Sequence, residues 1–146
     1  MSEEARSVEK SIYFAGAIRG GREDKSLYLE IVRRLKEYGR VLTEHVADAE
    51  LSVLGEPCQD RAIHDRDLSW LKESDCLVAE VTVASLGVGY EIGKATEWGK
   101  PVLCLFRPGI NRSLSAMIAG SKGVSVKEYE SAAELKSIFD AFFAGS

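Results

Sequence analysis

Histidine is scarce in this chain. His45 and His64 are the only two among 146 residues, and neither stands at a metal-ligand spacing, so no histidine-based metal site is expected. Cysteine is scarce too, and odd in number: Cys58, Cys76 and Cys104. Cys76 and Cys104 sit inside apolar runs and read as small buried hydrophobes, not as a disulfide framework. That usage points to a reducing, intracellular compartment, cytoplasmic or nuclear. No apolar run approaches the roughly 20 residues of a membrane span. The opening MSEEARSVEK has no apolar core of a secretory signal. Positive charge is not in excess, with 19 Lys and Arg against 23 Asp and Glu and a formal net charge of −4. A broad surface for a nucleic-acid polymer is therefore not expected. A small anion held by a few local groups remains open. The glycine-rich turn GAIRGGR lacks the G-K-[ST] of a P-loop.

What is present is ordinary for a globular domain. Hydrophobic residues make up 45% and charged residues 29%, and the length suits one domain with a proper core. Residues 1–10 read as a flexible N-terminus and 11–146 as a single domain. Within it, strands and helices alternate. The run SIYFAGA, residues 11–17, is a short aromatic and aliphatic strand. Asp24 can cap the next helix, whose stripe is Leu27, Tyr28, Ile31, Val32, Leu35 and Tyr38, with Gly39 at its stop. VLTEH, residues 41–45, is a second strand, and a polar loop with Gly55 and Pro57 leads to a helix near 61–74. CLVAEV is strand three. SLGVGYEIGKA opens the next helix, and Pro101 can start strand four, VLCLF. A short helix in SLSAMIA, a strand in GVSVK and a final helix near 131–143 complete the chain. Five such units imply a five-stranded parallel sheet in a Rossmann- or flavodoxin-like three-layer α/β/α sandwich. Ligands of such sheets sit at the carboxyl ends of the strands.

Several candidate residues follow strands directly. The turn Gly16, Ala17, Ile18, Arg19, Gly20, Gly21 and Arg22 follows strand one. Its glycines permit close approach of the backbone to a ligand; a turn with solvated arginines accounts for it equally well. Ser85 and Gly87 follow strand three, at the start of a helix whose free N–H groups suit an anion. Glu91 stands beside that turn, with Gly87 one helical turn earlier leaving open space above it. Stabilisation of the helix dipole is the plainer account of Glu91, although it does not explain the neighbouring anion turn. Asp67 falls in the middle of the apolar stripe of Ile63, Trp70 and Leu71. A carboxylate there must be paired, hydrogen-bonded or protonated, as a structural Asp or as an acid–base group. Tyr13 reads as core with an available hydroxyl, His45 as a ligand contact or a strand end, and Ser115 as a helix cap or a surface serine.

The stretches YFAGAIRGGRED, VLTEHVADAEL, IHDRDLSWL, VAEVTVASLGVGYEIG and LCLFRPGINRSLSAMI closely resemble the 2′-deoxynucleoside 5′-phosphate N-hydrolase (Rcl) family. The nucleoside 2-deoxyribosyltransferases, which share its fold and nucleophile, look more distant. The resemblance runs from about Tyr13 through Ile118. It implies cleavage of the N-glycosidic bond of deoxynucleoside 5′-monophosphates to free base and 2-deoxyribose 5-phosphate, without metal or organic cofactor. It implies Glu91 as nucleophile, Asp67 as acid–base partner and Tyr13 as an active-site hydroxyl. It also implies that Ser85 and Gly87 hold the 5′-phosphate and that the first turn, chiefly Arg19, contacts the nucleotide. Ser115, Ala116 and Met117 would reach the phosphate from the other subunit of a homodimer. Two local departures stand out: LSVLGEPCQDRA looks short before the Asp67 helix, and Ala17 stands where a Ser is familiar.

Such a site answers why an anion turn carries a carboxylate. The turn fixes the phosphate at one end of the sugar while Glu91 faces C1′, where oxocarbenium character develops. Collapse to a glycosyl ester and its opening by water then follow. A deoxyribosyltransferase, a non-catalytic nucleotide sensor and an interaction module with a vestigial cleft are the competing readings. The phosphate turn disfavours the transferase, and the two carboxylates disfavour the sensor.

Overall fold

The computed structural model describes residues 9–17, 22–43 and 60–145, with only the backbone of Arg22 and Glu23. Ile18, Arg19, Gly20, Gly21, His45, Cys58, the Gly55–Pro57 loop and most of the expected flexible N-terminus lie outside the described residues. Five strands are β1 (Ser11–Gly16), β2 (Arg40–Thr43), β3 (Cys76–Glu80), β4 (Val102–Phe106) and β5 (Val124–Glu128). The helices are α1 (Arg22–Leu35), α2 (Asp60–Glu73), α3 (Leu86–Glu97), α4 (Ala116–Ala119) and α5 (Leu135–Ala144). All strands pair in parallel, in the order β2-β1-β3-β4-β5. The five-stranded parallel sheet expected from the sequence is therefore the one found. Its order reverses between β1 and β3, and such sheets bind ligands at that reversal, beyond the carboxyl ends.

Strand alternation sorts the core into two layers. Ile12, Phe14, Val78, Leu103 and Leu105 face α1 and α5, where Ile31, Leu35, Leu135 and Phe139 meet them. Tyr13, Ala15, Leu77, Ala79, Val102 and Cys104 face the other way, onto Leu71 of α2 and Val88, Ile92 and Ala95 of α3. Burial on both faces is why these strands read as unbroken apolar runs. Each enclosed aliphatic side chain contributes about 1.5–3 kcal/mol. Cys76 and Cys104 are buried, free thiols that burial pushes up to about 12; they behave as packing residues, as their apolar surroundings indicated.

Three local expectations are corrected. Asp24 does not cap α1, which already starts at Arg22; its carboxylate instead accepts from Arg107 Nη2 at 2.8 Å. Gly39 follows the turn after α1 but is not in a left-handed conformation. A Cβ there would sit 2.2 Å from the Lys10 carbonyl oxygen, so close strand approach requires the glycine. Pro101 stands one residue before β4 and lends only its carbonyl, which accepts from Leu77 N at 3.0 Å. The left-handed glycine that does end a helix is Gly99, with φ 75°. It closes α3 with bonds from Gly99 N to Thr96 O and from Lys100 N to Ala95 O, at 3.0 and 2.9 Å.

Candidate active site

Glu91 lies in the second turn of α3, on the face pressed against the sheet, and is 5% exposed. Its Oε2 accepts from the hydroxyl of Tyr13 at 2.5 Å. Tyr13 is fully buried in β1 and points to this face by strand alternation. The other oxygen, Oε1, has no hydrogen-bond partner among the described residues. Burial raises the Glu91 carboxyl to about 7; the Tyr13 bond holds it down and the charge of Asp67 pushes it further up. A buried carboxyl with one oxygen fixed and the other uncommitted is a reactive group held in place.

Asp67 is 6% exposed, on the α2 stripe where the helical period put it. Its Oδ1 accepts from Arg66 Nε at 2.9 Å, and the Arg66 guanidinium lies over the Trp70 ring at 5.1 Å. Together α2 and α3 wall a cavity of about 230 Å³. Asp60, Ile63, His64, Asp67 and Leu68 come from α2, and Gly87, Tyr90 and Glu91 from α3. The cavity is about the size of a small polar ligand, with Asp67 on the α2 wall and Glu91 on the α3 wall. No Cβ projects from Gly87, and among the described residues one built there would meet only Ser85 Oγ, at 3.8 Å.

Of the residues anticipated from sequence, Tyr13, Asp67, Gly87 and Glu91 converge. Ser85 is the N-cap of α3: its Oγ accepts from Val88 N at 3.3 Å, at the mouth of the helix and beside Gly87. Gly16 ends β1 next to Glu80, and a Cβ on it would lie 2.9 Å from the Tyr28 ring; Ala17 is buried. Ser115, Ala116 and Met117 do not line this cavity. Ser115 caps the short α4 by accepting from Met117 N, and Met117 is 83% exposed. Ile18, Arg19, Gly20, Gly21, His45 and the Arg22 side chain lie outside the described residues. Among the described residues, no group of three or more metal-ligating side chains is gathered.

Two features escaped the sequence reading. His64 Nε2 and the Tyr90 hydroxyl are 3.1 Å apart at the cavity wall, and Lys94 Nζ lies 5.7 Å from the Tyr90 ring centre. The pattern could have raised them, since Tyr90 adjoins Glu91 and His64 lies one turn before Asp67. Glu80, fully buried at the end of β3, was passed over inside an apolar run.

The sequence model of the nucleoside 2-deoxyribosyltransferase family matches residues 12–130. A Mus musculus protein named 5-hydroxymethyl-dUMP N-hydrolase is 59% identical over 123 residues, covering 83% of this chain and 71% of that protein. A Rattus norvegicus protein of the same name is 53% identical over 148 residues, covering 98% of this chain and 90% of that protein. The solved structure of a Clostridium botulinum CMP N-glycosidase superposes with a TM-score of 0.65 at 19% identity, over 90% of this chain and 98% of that one, and so shares the fold. This chain belongs to the nucleoside 2-deoxyribosyltransferase family.

Proposed function

We propose that the chain hydrolyses the N-glycosidic bond of 2′-deoxynucleoside 5′-monophosphates, giving free base and 2-deoxyribose 5-phosphate. The observation that carries this is Glu91: buried, fixed by Tyr13 through one oxygen, without a hydrogen-bond partner among the described residues at the other, and lining a cavity with Asp67. The names of the rodent relatives support hydrolysis of a deoxynucleoside monophosphate. The anion-binding character of a capped helix start, here Ser85 and Gly87, supports a phosphate on the substrate.

In this reading the Glu91 carboxylate attacks C1′ as the C1′–N bond breaks. The bonding pair leaves with the base, which takes a proton from Asp67. Glu91 is then esterified to the sugar. Asp67, now ionised, takes a proton from water; the resulting hydroxide attacks C1′ and frees Glu91. The Tyr13 hydroxyl donates to Glu91 throughout, which orients the nucleophile. The pair must hold one proton, on Asp67 at the moment of attack.

The reading extends to a homodimer in which Ser115, Ala116 and Met117 of one subunit complete the partner's phosphate site. Exposure of large apolar side chains supports it: Leu86 at 96%, Ile110 at 92% and Met117 at 83% face solvent in the single chain.

The test is incubation with deoxynucleoside monophosphates, their unphosphorylated nucleosides and the matching ribonucleotides, with free base measured by chromatography. Base release from deoxynucleotides and poor release from nucleosides is expected. Formation of a new nucleoside faster than free sugar, on adding a second base, would make the chain a transferase instead.

A further inference from the structure

On the opposite face of the sheet from Glu91, a buried carboxylate gathers four donors. Glu80 accepts from Thr82 N at 2.8 Å, from Thr82 Oγ1 at 3.0 Å, from Arg107 Nε at 3.1 Å and from the Tyr129 hydroxyl. Arg107 Nη2 reaches on to Asp24 Oδ1 at 2.8 Å, and Arg107 N donates to Thr82 Oγ1 at 2.9 Å. The Thr82 hydroxyl is thus used as donor and acceptor at once. The cluster joins the first turn of α1, the connection between β3 and α3, and the start of the loop after β4. All three lie at the carboxyl ends of the strands, where the site is. An ion pair this deep adds little net stability, because an apolar set of the same volume does as well. What it adds is directional bonding that fixes where the chain goes next.

From Thr82 the chain reaches Ser85, the cap of α3, in three residues. We propose that Thr82 is a positioning residue: clamped by Glu80 and Arg107, it fixes the 81–85 connection and thereby aims the Ser85–Gly87 helix start at the substrate phosphate. Thr82 touches no reacting atom; it acts through Ser85. The inference rests on the reading of that helix start as the phosphate site.

Its test compares kcat/KM for 5-hydroxymethyl-dUMP and for the same nucleoside without phosphate, in wild type, Thr82→Val, Thr82→Ser and Ser85→Ala. Valine keeps the shape and loses both hydroxyl bonds; serine keeps them. Thr82→Val is expected to lower the preference for the phosphorylated substrate roughly 10- to 100-fold, the scale on which small misplacements act. Thr82→Ser should restore it to within about twofold of wild type on the same scale. Thr82→Ala gives the same comparison if valine's second methyl prevents folding. Equal losses on both substrates, or no loss, in a folded Thr82 variant would overturn the positioning role while Ser85→Ala still abolishes the preference. Full phosphate preference in Ser85→Ala would instead overturn the phosphate reading and this inference with it.

Discussion

Burial lifts the Glu91 carboxyl to about 7, so ionising it in the folded chain costs free energy that the unfolded chain does not lose. From an ordinary value of 4.5 to about 7, at roughly 1.4 kcal/mol per pH unit, that is about 3 kcal/mol. Because the folded state holds its proton more tightly, stability falls as pH rises from about 4.5 and levels off above about 7. Glu91→Gln removes this penalty. The variant should melt several degrees above wild type at pH 8 and close to it at pH 4.5, as thermal denaturation at the two pH values will show. Equal melting temperatures at pH 8 would mean that Glu91 ionises freely. The same proton governs catalysis. If the working enzyme needs one proton on the Asp67–Glu91 pair, kcat/KM falls as pH rises through about 7, measured above pH 6.5 where substrate phosphate is mostly ionised. Tyr13→Phe removes the bond that holds the Glu91 carboxyl down, and so should move that limb to higher pH. A limb that rises through 7 would place the acid elsewhere.

Helix α3 carries the other half of the proposed site in its first turn. Gly87 adds nothing to that helix by its own propensity, and among the described residues a Cβ there meets only Ser85 Oγ at 3.8 Å. Gly87→Ala should therefore stabilise the fold by about 0.5–1 kcal/mol while intruding on the cavity. The expected outcome is a higher melting temperature with a higher KM for the nucleotide; an unchanged KM would remove Gly87 from the substrate's path. The sequence made much of this element legible. A helix start after an apolar strand, a Ser/Gly turn and a carboxylate one turn after Gly87 are local patterns, and Asp67 was visible on α2 from its place in an apolar stripe; the Ser85 cap and the burial of Glu91 emerged only from the fold. Tyr13 was visible as a strand residue with an available hydroxyl, but its bond to Glu91 was not, because that bond spans 78 positions and depends on how β1 sits under α3. Glu80 was hidden for a similar reason. Its partners Thr82, Arg107 and Tyr129 follow three different strands, and a lone acid in CLVAE looks like any other strand residue.

At the scale of the whole molecule, parallel strands buried on both faces announced the three-layer architecture, whereas the order β2-β1-β3-β4-β5 is a property of tertiary assembly. That order brings the ends of β1 and β3 side by side and gives Tyr13 and α3 a common wall. A shared dimer site makes a prediction of its own. Glu91→Ala and Ser115→Ala subunits, each weakened alone, are refolded together; random pairing makes about half the dimers mixed and leaves about a quarter of all sites free of either change. Activity should rise well above either variant. No recovery, with mixed dimers confirmed by mass spectrometry, would confine Ser115 to its own subunit. The most direct test of the account is release of free base from a panel of 2′-deoxynucleoside 5′-monophosphates by wild type and folded Glu91→Gln side by side. The account predicts base and 2-deoxyribose 5-phosphate from wild type and a rate at least ~10³-fold lower from the variant. Wild type that releases no base, or a folded variant within about tenfold of wild type, would contradict it.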